Sequence, residues 1–154
     1  MVTALVADPS PASRRAARHL LERLGFGVVE ASCPADALAL VSGTAPDLVL
    51  VDGGLEGPDG GLLMEAIRNL PAARDICLFH VAAEALPASI RRAIDAGADD
   101  YLVKPFDQAL LGFKLAQART RGCFGAGRAR LRIVGDGSDA NGASWRFGLF
   151  GKAV

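Results

Sequence analysis

A surplus of charge of one sign, a long apolar run and an export signal are all missing from this 154-residue sequence. Its 17 basic residues match its 17 acidic residues, so bulk charge gives no reason to expect binding to nucleic acid or to a membrane. No apolar run is long enough to cross a bilayer. The first ten residues lack the basic segment that opens a signal peptide. We therefore expect a soluble, cytoplasmic protein.

Cysteine is scarce as well. Cys33, Cys77 and Cys123 are odd in number and widely separated, and their spacing matches neither a metal site nor a disulfide framework. Cys77 lies within an apolar run, where a free cysteine usually behaves as a small buried hydrophobe. The sequence therefore predicts that Cys77 is a buried free thiol.

Hydrophobic residues, in contrast, make up 51% of the chain, which is enough for the core of one domain with a short appendage. Short apolar runs that predict strands alternate with amphipathic segments that predict helices. Strands are predicted at 3–7, 28–29, 48–51, 76–81 and 101–103. Helices are predicted around 11–24, 35–41, 63–70, 90–96 and 107–121, three of them ended by Gly25, Gly43 and Gly97.

This strict alternation of five strands with five helices predicts the fold class. It is typical of an α/β protein, in which a parallel sheet carries helices on both faces and the crossovers are right-handed. The pattern alone leaves the order of the strands open.

Three charged residues each follow one of the predicted strands, namely Asp8, Asp52 and Lys104. In an open α/β sheet, functional groups collect at the carboxyl ends of the strands, so these side chains are predicted to lie together. Two carboxylates repel each other, and a cation among them lets both stay ionised. The sequence therefore predicts a small charged site at one edge of the sheet.

The glycine-rich segment 122–154 breaks the alternation. Alternate residues are apolar in 129–133 and again in 145–149, and a stretch dense in turn formers separates them. This pattern predicts a C-terminal β-hairpin with one apolar and one basic face. A lone hairpin is marginally stable in water, so the face with Trp145 and Phe147 is expected to pack on the domain, on a second copy or on a partner.

Three stretches contain the charged residues: LVADPSPASRRAARHLLERLGF, PDLVLVDGGLEGPDGG and AGADDYLVKPFD. Together they resemble the receiver domain of bacterial response regulators, over about residues 3–121. The last stretch is the most specific, because AGADDYL followed by Lys-Pro is rare elsewhere. The resemblance implies a flavodoxin-like (βα)5 fold with strand order 2-1-3-4-5 in residues 1–121. It also implies a cis peptide bond before Pro105.

The resemblance implies a chemistry for the charged site. Asp52 would accept a phosphoryl group from a histidine kinase or phosphotransferase protein, since a carboxylate can be a covalent nucleophile. Phosphoryl transfer depends on positioning and on neutralising the phosphoryl oxygens. Lys104 would pair with that group, and Asp8, Asp52 and the carbonyl of Gly54 would hold Mg²⁺. The chain would then be a phosphorelay component and not an enzyme.

Two positions depart from the family pattern. The family carries two adjacent acids after the first strand, whereas Pro9 follows Asp8 here, which should weaken a magnesium site. A serine or threonine usually ends the fourth strand and bonds the phosphoryl group. The spacing back from Lys104 places Ala82 there, and alanine has no donor. The coupling of phosphorylation to the rotamer of Tyr101, the switch aromatic in the family, should therefore be weak.

Three other polar residues are weaker candidates for a functional role. Glu56 is an extra carboxylate in the loop after the third strand, and we expect it to face solvent. His80 is expected to be a hydrogen-bonded core histidine or a surface residue at a strand end, rather than a phosphoryl carrier. His19 is expected on the surface of the first helix.

Three functional classes stay open at this point. The first is a stand-alone receiver that is phosphorylated on Asp52 and signals through the fourth helix, fifth strand and fifth helix. The second is a pseudo-receiver that binds a protein target without phosphorylation, as Pro9 and Ala82 suggest. The third is an enzyme or flavin protein on the same fold, although no Ser-His-Asp set or P-loop is apparent. A homodimer through the hairpin or through the same face is also left open.

Overall fold

Five parallel strands form one sheet in the computed structural model of this protein, which describes residues 2–123. The order of the strands is β2-β1-β3-β4-β5, so the order that the family resemblance implied is confirmed. The strands are β1 (Thr3–Ala7), β2 (Gly27–Ala31), β3 (Leu48–Asp52), β4 (Cys77–Ala82) and β5 (Asp100–Val103).

In this described part of the chain, five α-helices follow the strands in turn, and a short 3₁₀ turn (Pro71–Ala73) precedes β4. Two of the helices begin at side-chain caps, since the side chains of Ser10 and Asp107 accept hydrogen bonds from the N–H groups of Ser13 and Leu110. The helices are α1 (Pro11–Arg23), α2 (Pro34–Thr44), α3 (Leu63–Arg68), α4 (Pro87–Asp95) and α5 (Gln108–Thr120).

The end of α2 differs from the prediction. Gly43 was expected to stop the helix, but α2 continues through it to Thr44. The left-handed residue that ends the helix is Ala45, with φ of 44°, whose N–H donates to the carbonyl of Val41. A glycine inside a helix costs only about 1 kcal/mol, so it does not by itself end one.

Both faces of the sheet are buried, because alternate residues of each strand point to opposite sides. On one face, Leu50 and Phe79 belong to a cluster with apolar residues of α1 and α5. On the other face, Val49 and Leu78 belong to a cluster with residues of α2, α3 and α4. Burial on both sides explains why the strands are near-continuous apolar runs. It also leaves the carboxyl edge of the sheet as the place for charged groups.

The prediction of a free thiol at Cys77 is wrong, although the residue is buried as expected. Cys77, the first residue of β4, forms a disulfide with Cys123, which lies just beyond α5. Their Cα atoms are 5.5 Å apart, a separation that a disulfide can span. The two cysteines are 46 residues apart in sequence, so no local spacing indicated the pair. Cys33 is a free cysteine.

The predicted hairpin, with Trp145 and Phe147, lies outside the described residues apart from Gly122 and Cys123. A domain boundary after residue 121 therefore stays a prediction. Within residues 2–123, no helix is both long enough and apolar enough to cross a membrane.

Candidate functional site

The ammonium group of Lys104 lies between two carboxylates. Its Nζ donates a hydrogen bond to Oδ2 of Asp8 at 2.7 Å and to Oδ1 of Asp52 at 2.9 Å. The three residues come from the carboxyl ends of three strands: Asp8 follows β1, Asp52 ends β3 and Lys104 follows β5. The structure therefore brings together the three charged residues that the sequence placed at this edge.

Asp8 is the most deeply buried member of this site, with 5% of its surface exposed. Its Oδ1 accepts a hydrogen bond from the N–H of Ser10 at 2.8 Å, and its carbonyl oxygen accepts one from Nη1 of Arg14 at 2.7 Å. A carboxylate that bonds the backbone two residues ahead is an Asx turn, which leads the chain into α1. Pro9, between these residues, is exposed and adds no carboxylate.

Asp52 is held by the loop that follows β3. Its Oδ2 accepts a hydrogen bond from the N–H of Gly54 at 2.9 Å. The N–H of Gly53 donates to the carbonyl of Val81 at 2.8 Å, which keeps the loop close to β4. A Cβ atom on Gly53 would lie 2.5 Å from Cε1 of His80, so this close approach requires glycine.

Ser13 is a member of the site that the sequence did not indicate. Its Oγ lies 3.3 Å from Nζ of Lys104, as a third acceptor beside the two carboxylates. Ser13 lies in the first turn of α1, and its own N–H donates to the capping side chain of Ser10. The sequence signal for Ser13 was a polar residue one turn after a helix cap. This signal was not sufficient, because the direction of the Ser13 side chain depends on how α1 packs against the sheet.

A cavity of about 170 Å³ opens beside these groups. At roughly 30 Å³ per water in the liquid, it has room for several waters or for a tetrahedral phosphoryl group. Most of its lining is apolar and comes from β1, α1, β3, β4 and the start of the segment after β5. The lining residues are Val6, Ala7, Asp8, Ser13, Ala16, Ala17, Leu20, Leu50, Asp52, Val81, Lys104, Pro105 and Phe106.

The pKa of Lys104 reflects two opposed effects. Burial lowers this pKa, but the hydrogen bonds to Asp8 and Asp52 together outweigh burial and raise it above its ordinary value. Lys104 is therefore a permanent cation at neutral pH. The peptide bond that joins it to Pro105 is cis.

The two residues that correspond to the family switch lie on β4 and β5. Ala82 ends β4, is buried and offers no side-chain donor, while its carbonyl accepts from the N–H of Lys104. Tyr101 is half-buried in β5, and Nζ of Lys114 lies 4.1 Å from the centre of its ring. The same ammonium group donates to Oδ1 of the buried Asp100 at 2.9 Å. Tyr101 is thus contacted by a fixed cation of α5.

His80 is a core histidine, but its ring makes no hydrogen bond to any residue in the described range 2–123. It lies in β4 with its ring against Gly53. Burial lowers the pKa of His80, and the charge of Asp52 opposes this effect only in part. Glu56 and His19 are exposed, as expected.

The depressed pKa of His80 predicts a pH dependence of stability. The unfolded chain binds a proton near pH 6.5 and the folded chain only at lower pH, so stability is lost as the pH falls below 6.5. One proton contributes at most about 1.4 kcal/mol per pH unit. We expect His80→Gln to remove this slope in urea titrations between pH 5 and 8.

His19→Gln is the matched control for this measurement, because His19 is exposed and is the only other histidine of the chain. It should leave the slope unchanged. Equal slopes in all three proteins would contradict the assignment to His80.

A parallel sheet of this order, with two acids and a lysine at its carboxyl edge, defines a receiver domain of two-component signalling. The chain belongs to this family: the model of the response regulator receiver domain matches residues 4–115. It is 36% identical over 121 residues to the KDP operon transcriptional regulatory protein KdpE of Escherichia coli, a match that covers 79% of this chain and 50% of KdpE. It is 32% identical over 135 residues to the transcriptional regulatory protein CseB of Streptomyces coelicolor, covering 88% and 56%.

The chain thus spans about half the length of these two relatives. Among solved structures, it is similar to the chemotaxis protein CheY4 of Vibrio cholerae, with 25% identity and a TM-score of 0.69 over 76% of this chain and 98% of that one. A response regulator from Desulfuromonas acetoxidans, 17% identical, shares the fold with a TM-score of 0.71 over 78% of this chain and 98% of that one.

Proposed function

We propose that Asp52 accepts a phosphoryl group from a histidine kinase or phosphotransferase protein, and that the phosphorylated domain signals by contact with a downstream protein. The observation that carries this proposal is the position of Lys104, whose ammonium group bonds Asp52 and Asp8 beside a cavity of about 170 Å³. A nucleophilic carboxylate with a fixed cation and free space next to it is what phosphoryl transfer needs.

Each of these groups has a part in the transfer. An oxygen of Asp52 forms a bond to phosphorus as the bond between phosphorus and the donor nitrogen or oxygen breaks, which gives an acyl phosphate and the free donor. The N–H of Gly54 holds Oδ2 of Asp52 and so orients the carboxylate. Lys104 already lies at the carboxylate and pairs with the phosphoryl oxygens. The hydroxyl of Ser13 is close enough to Lys104 to donate to the same oxygens.

The acid pocket also fits a magnesium ion with few protein ligands. Mg²⁺ takes oxygen ligands, keeps several waters and is often held by one or two carboxylates. Asp8, Asp52 and the carbonyl of Gly54 would hold it, and when bound it would neutralise part of the phosphoryl charge. Pro9 removes the second acid of the family pattern, and the exposed Glu56 does not replace it. We therefore expect weaker binding of magnesium than in receivers with both acids.

The signalling surface in this proposal is the face formed by α4, β5 and α5. The large apolar side chains that are most exposed within residues 2–123 lie there or next to it: Leu86 (51%), Leu110 (38%) and Phe113 (59%). These are the apolar side chains at this face that a partner protein could cover. The partner on this face is a target protein or a second copy of the chain, and the domain acts as a signalling module rather than as an enzyme.

Labelling with acetyl phosphate tests the proposal. The full-length protein, incubated with acetyl phosphate and Mg²⁺, should gain the mass of one phosphoryl group, which adds about −1.5 to −2 charge. Asp52→Asn should abolish the gain, and Asp59→Asn, which changes an exposed acid in the following loop, should keep it. Absence of any adduct on the unaltered protein contradicts the proposal.

A second candidate function is a pseudo-receiver that binds its target without phosphorylation. Ala82 supports it, because the residue at the end of β4 has no hydroxyl with which to bond a phosphoryl group. The two candidates differ in the response of the α4–β5–α5 face. Hydrogen exchange of this face should slow or quicken on labelling if the domain switches, and should stay unchanged if it is a pseudo-receiver.

A further inference from the structure

The end of α5 is turned back onto the sheet. Gly122 adopts a left-handed conformation with φ of 77°, and the N–H of Cys123 donates to the carbonyl of Ala118 at 2.8 Å. This turn carries Cys123 over the start of β4, where it forms the disulfide with Cys77. Cys77 is fully buried and Cys123 is 6% exposed, so only Cys123 lies near the surface.

A fixed carboxylate lies next to both sulfur atoms. An oxygen of Asp99 and the two Sγ atoms all lie within 4.8 Å of one another. Asp99 is held in place, since its Oδ2 accepts hydrogen bonds from the N–H of Leu78 and from Nη2 of Arg68. The guanidinium of Arg68 pairs with the same carboxylate at 2.9 Å, so the two cysteines lie beside a fixed ion pair.

We propose that Cys77 and Cys123 are a reversible redox site, oxidised by a low-molecular-weight disulfide and reduced by the corresponding thiol. The thiolate of Cys123 attacks the small disulfide, forms a mixed disulfide and releases one thiol. The thiolate of Cys77 then attacks the sulfur of Cys123 and releases the second thiol. Two electrons pass from the protein to the small disulfide, and the two cysteine protons leave on the two thiols.

Oxidation at this site acts on the end of α5. The disulfide fixes Cys123, the last of the described residues, to β4. Arg121, two residues earlier, lies with Nη2 3.7 Å from Oδ2 of Asp100, the carboxylate that also binds Lys114. Lys114 in turn contacts the ring of Tyr101. The backbone of residues 121–123 and these ion pairs therefore connect the redox site to the proposed signalling face.

Counting thiols tests the site in the full-length protein. Samples are equilibrated in glutathione buffers that differ in the ratio of oxidised to reduced glutathione. They are then quenched in acid and alkylated in denaturant, and the intact mass is measured by mass spectrometry. We expect the number of alkylated cysteines to fall from three to one, with Cys33 as the one that remains, and to return to three in dithiothreitol. Cys33→Ser is the matched control and should lose two thiols as well.

Two outcomes would overturn the proposal: all cysteines alkylated at every ratio, or a disulfide that dithiothreitol does not open in the folded protein. Hydrogen exchange of residues 115–123 adds a second measurement, with faster exchange expected after reduction. Cys123→Ser should exchange like the reduced protein under all conditions, and equal rates in both redox states would contradict the link to α5. Labelling of Asp52 by acetyl phosphate is also measured in both redox states. A failure of the redox proposal can then be distinguished from a failure of the proposed phosphoryl transfer.

Discussion

Replacing Lys104 by methionine is expected to lower the free energy of unfolding by about 2 to 3 kcal/mol. The substitution leaves Asp8, with 5% exposure, and Asp52 facing each other without the cation that both bind. Breaking a fully buried ion pair costs about 3–5 kcal/mol, and the smaller figure applies here because Lys104 keeps 27% of its side chain exposed. Urea denaturation at pH 7 measures the change.

A double-mutant cycle tests the cause of this loss. Asp8→Asn removes one of the two carboxylates, so Lys104→Met should cost less in the Asp8→Asn background than in the unaltered protein. Because the pKa of Lys104 is raised, its stabilising effect is lost as the pH rises through that raised pKa, above 10.5. Arg91→Met, which breaks an exposed pair with Asp95, is the control and should change stability by at most about 1 kcal/mol. If the effects of Lys104→Met and Asp8→Asn on the free energy of unfolding were additive, repulsion between Asp8 and Asp52 would not be the cause of the loss.

Phe79→Ala should be the most destabilising of the substitutions considered, at about 3–5 kcal/mol. Phe79 is fully buried in β4 and belongs to the cluster between the sheet and the helices α1 and α5. Its removal leaves a cavity that the surrounding strands close only in part. The same substitution at Phe113, which is 59% exposed on α5, is the matched control and should stay within about 0.5 kcal/mol.

Equilibrium denaturation in urea compares the two phenylalanine variants directly. A similar loss in both would mean that β4 is not the centre of the core. The folded fraction of the Phe79→Ala variant should still be labelled on Asp52 by acetyl phosphate, because Phe79 does not line the cavity beside Asp52.

The sequence predicted the strands and the charged site well for a physical reason. Strands buried on both faces are nearly continuous apolar runs, so Leu48–Asp52 and Cys77–Ala82 are visible in the sequence despite His80 within the second run. The charged residue after such a run must then lie at the carboxyl edge. The ends of β2 were less visible, because Gly27 and Ala31 pair with β1 through their backbones. Pairing of this kind leaves no mark in the pattern of side chains.

What the sequence could not predict depends on tertiary packing. The disulfide joins residues 46 positions apart, which meet only because α5 runs back beside β4. Ser13 reaches Lys104 only because of the way α1 lies over the end of β1. The cation at Tyr101 likewise depends on the packing of α5 against β5, which brings Lys114 over the ring.

The order of the strands has a consequence for the behaviour of the protein at high concentration. Within residues 2–123 it makes β2 and β5 the outer strands of the sheet, and unpaired outer strands are where chains join into aggregates. On the edge strand β2, Glu30 forms ion pairs with Arg14 and Arg18, which places charge along this edge of the sheet. The edge strand β5 is short, with four residues. Pro105, two residues after it, has no N–H to donate to a further strand. Both edge strands are therefore protected against the addition of a strand from another chain.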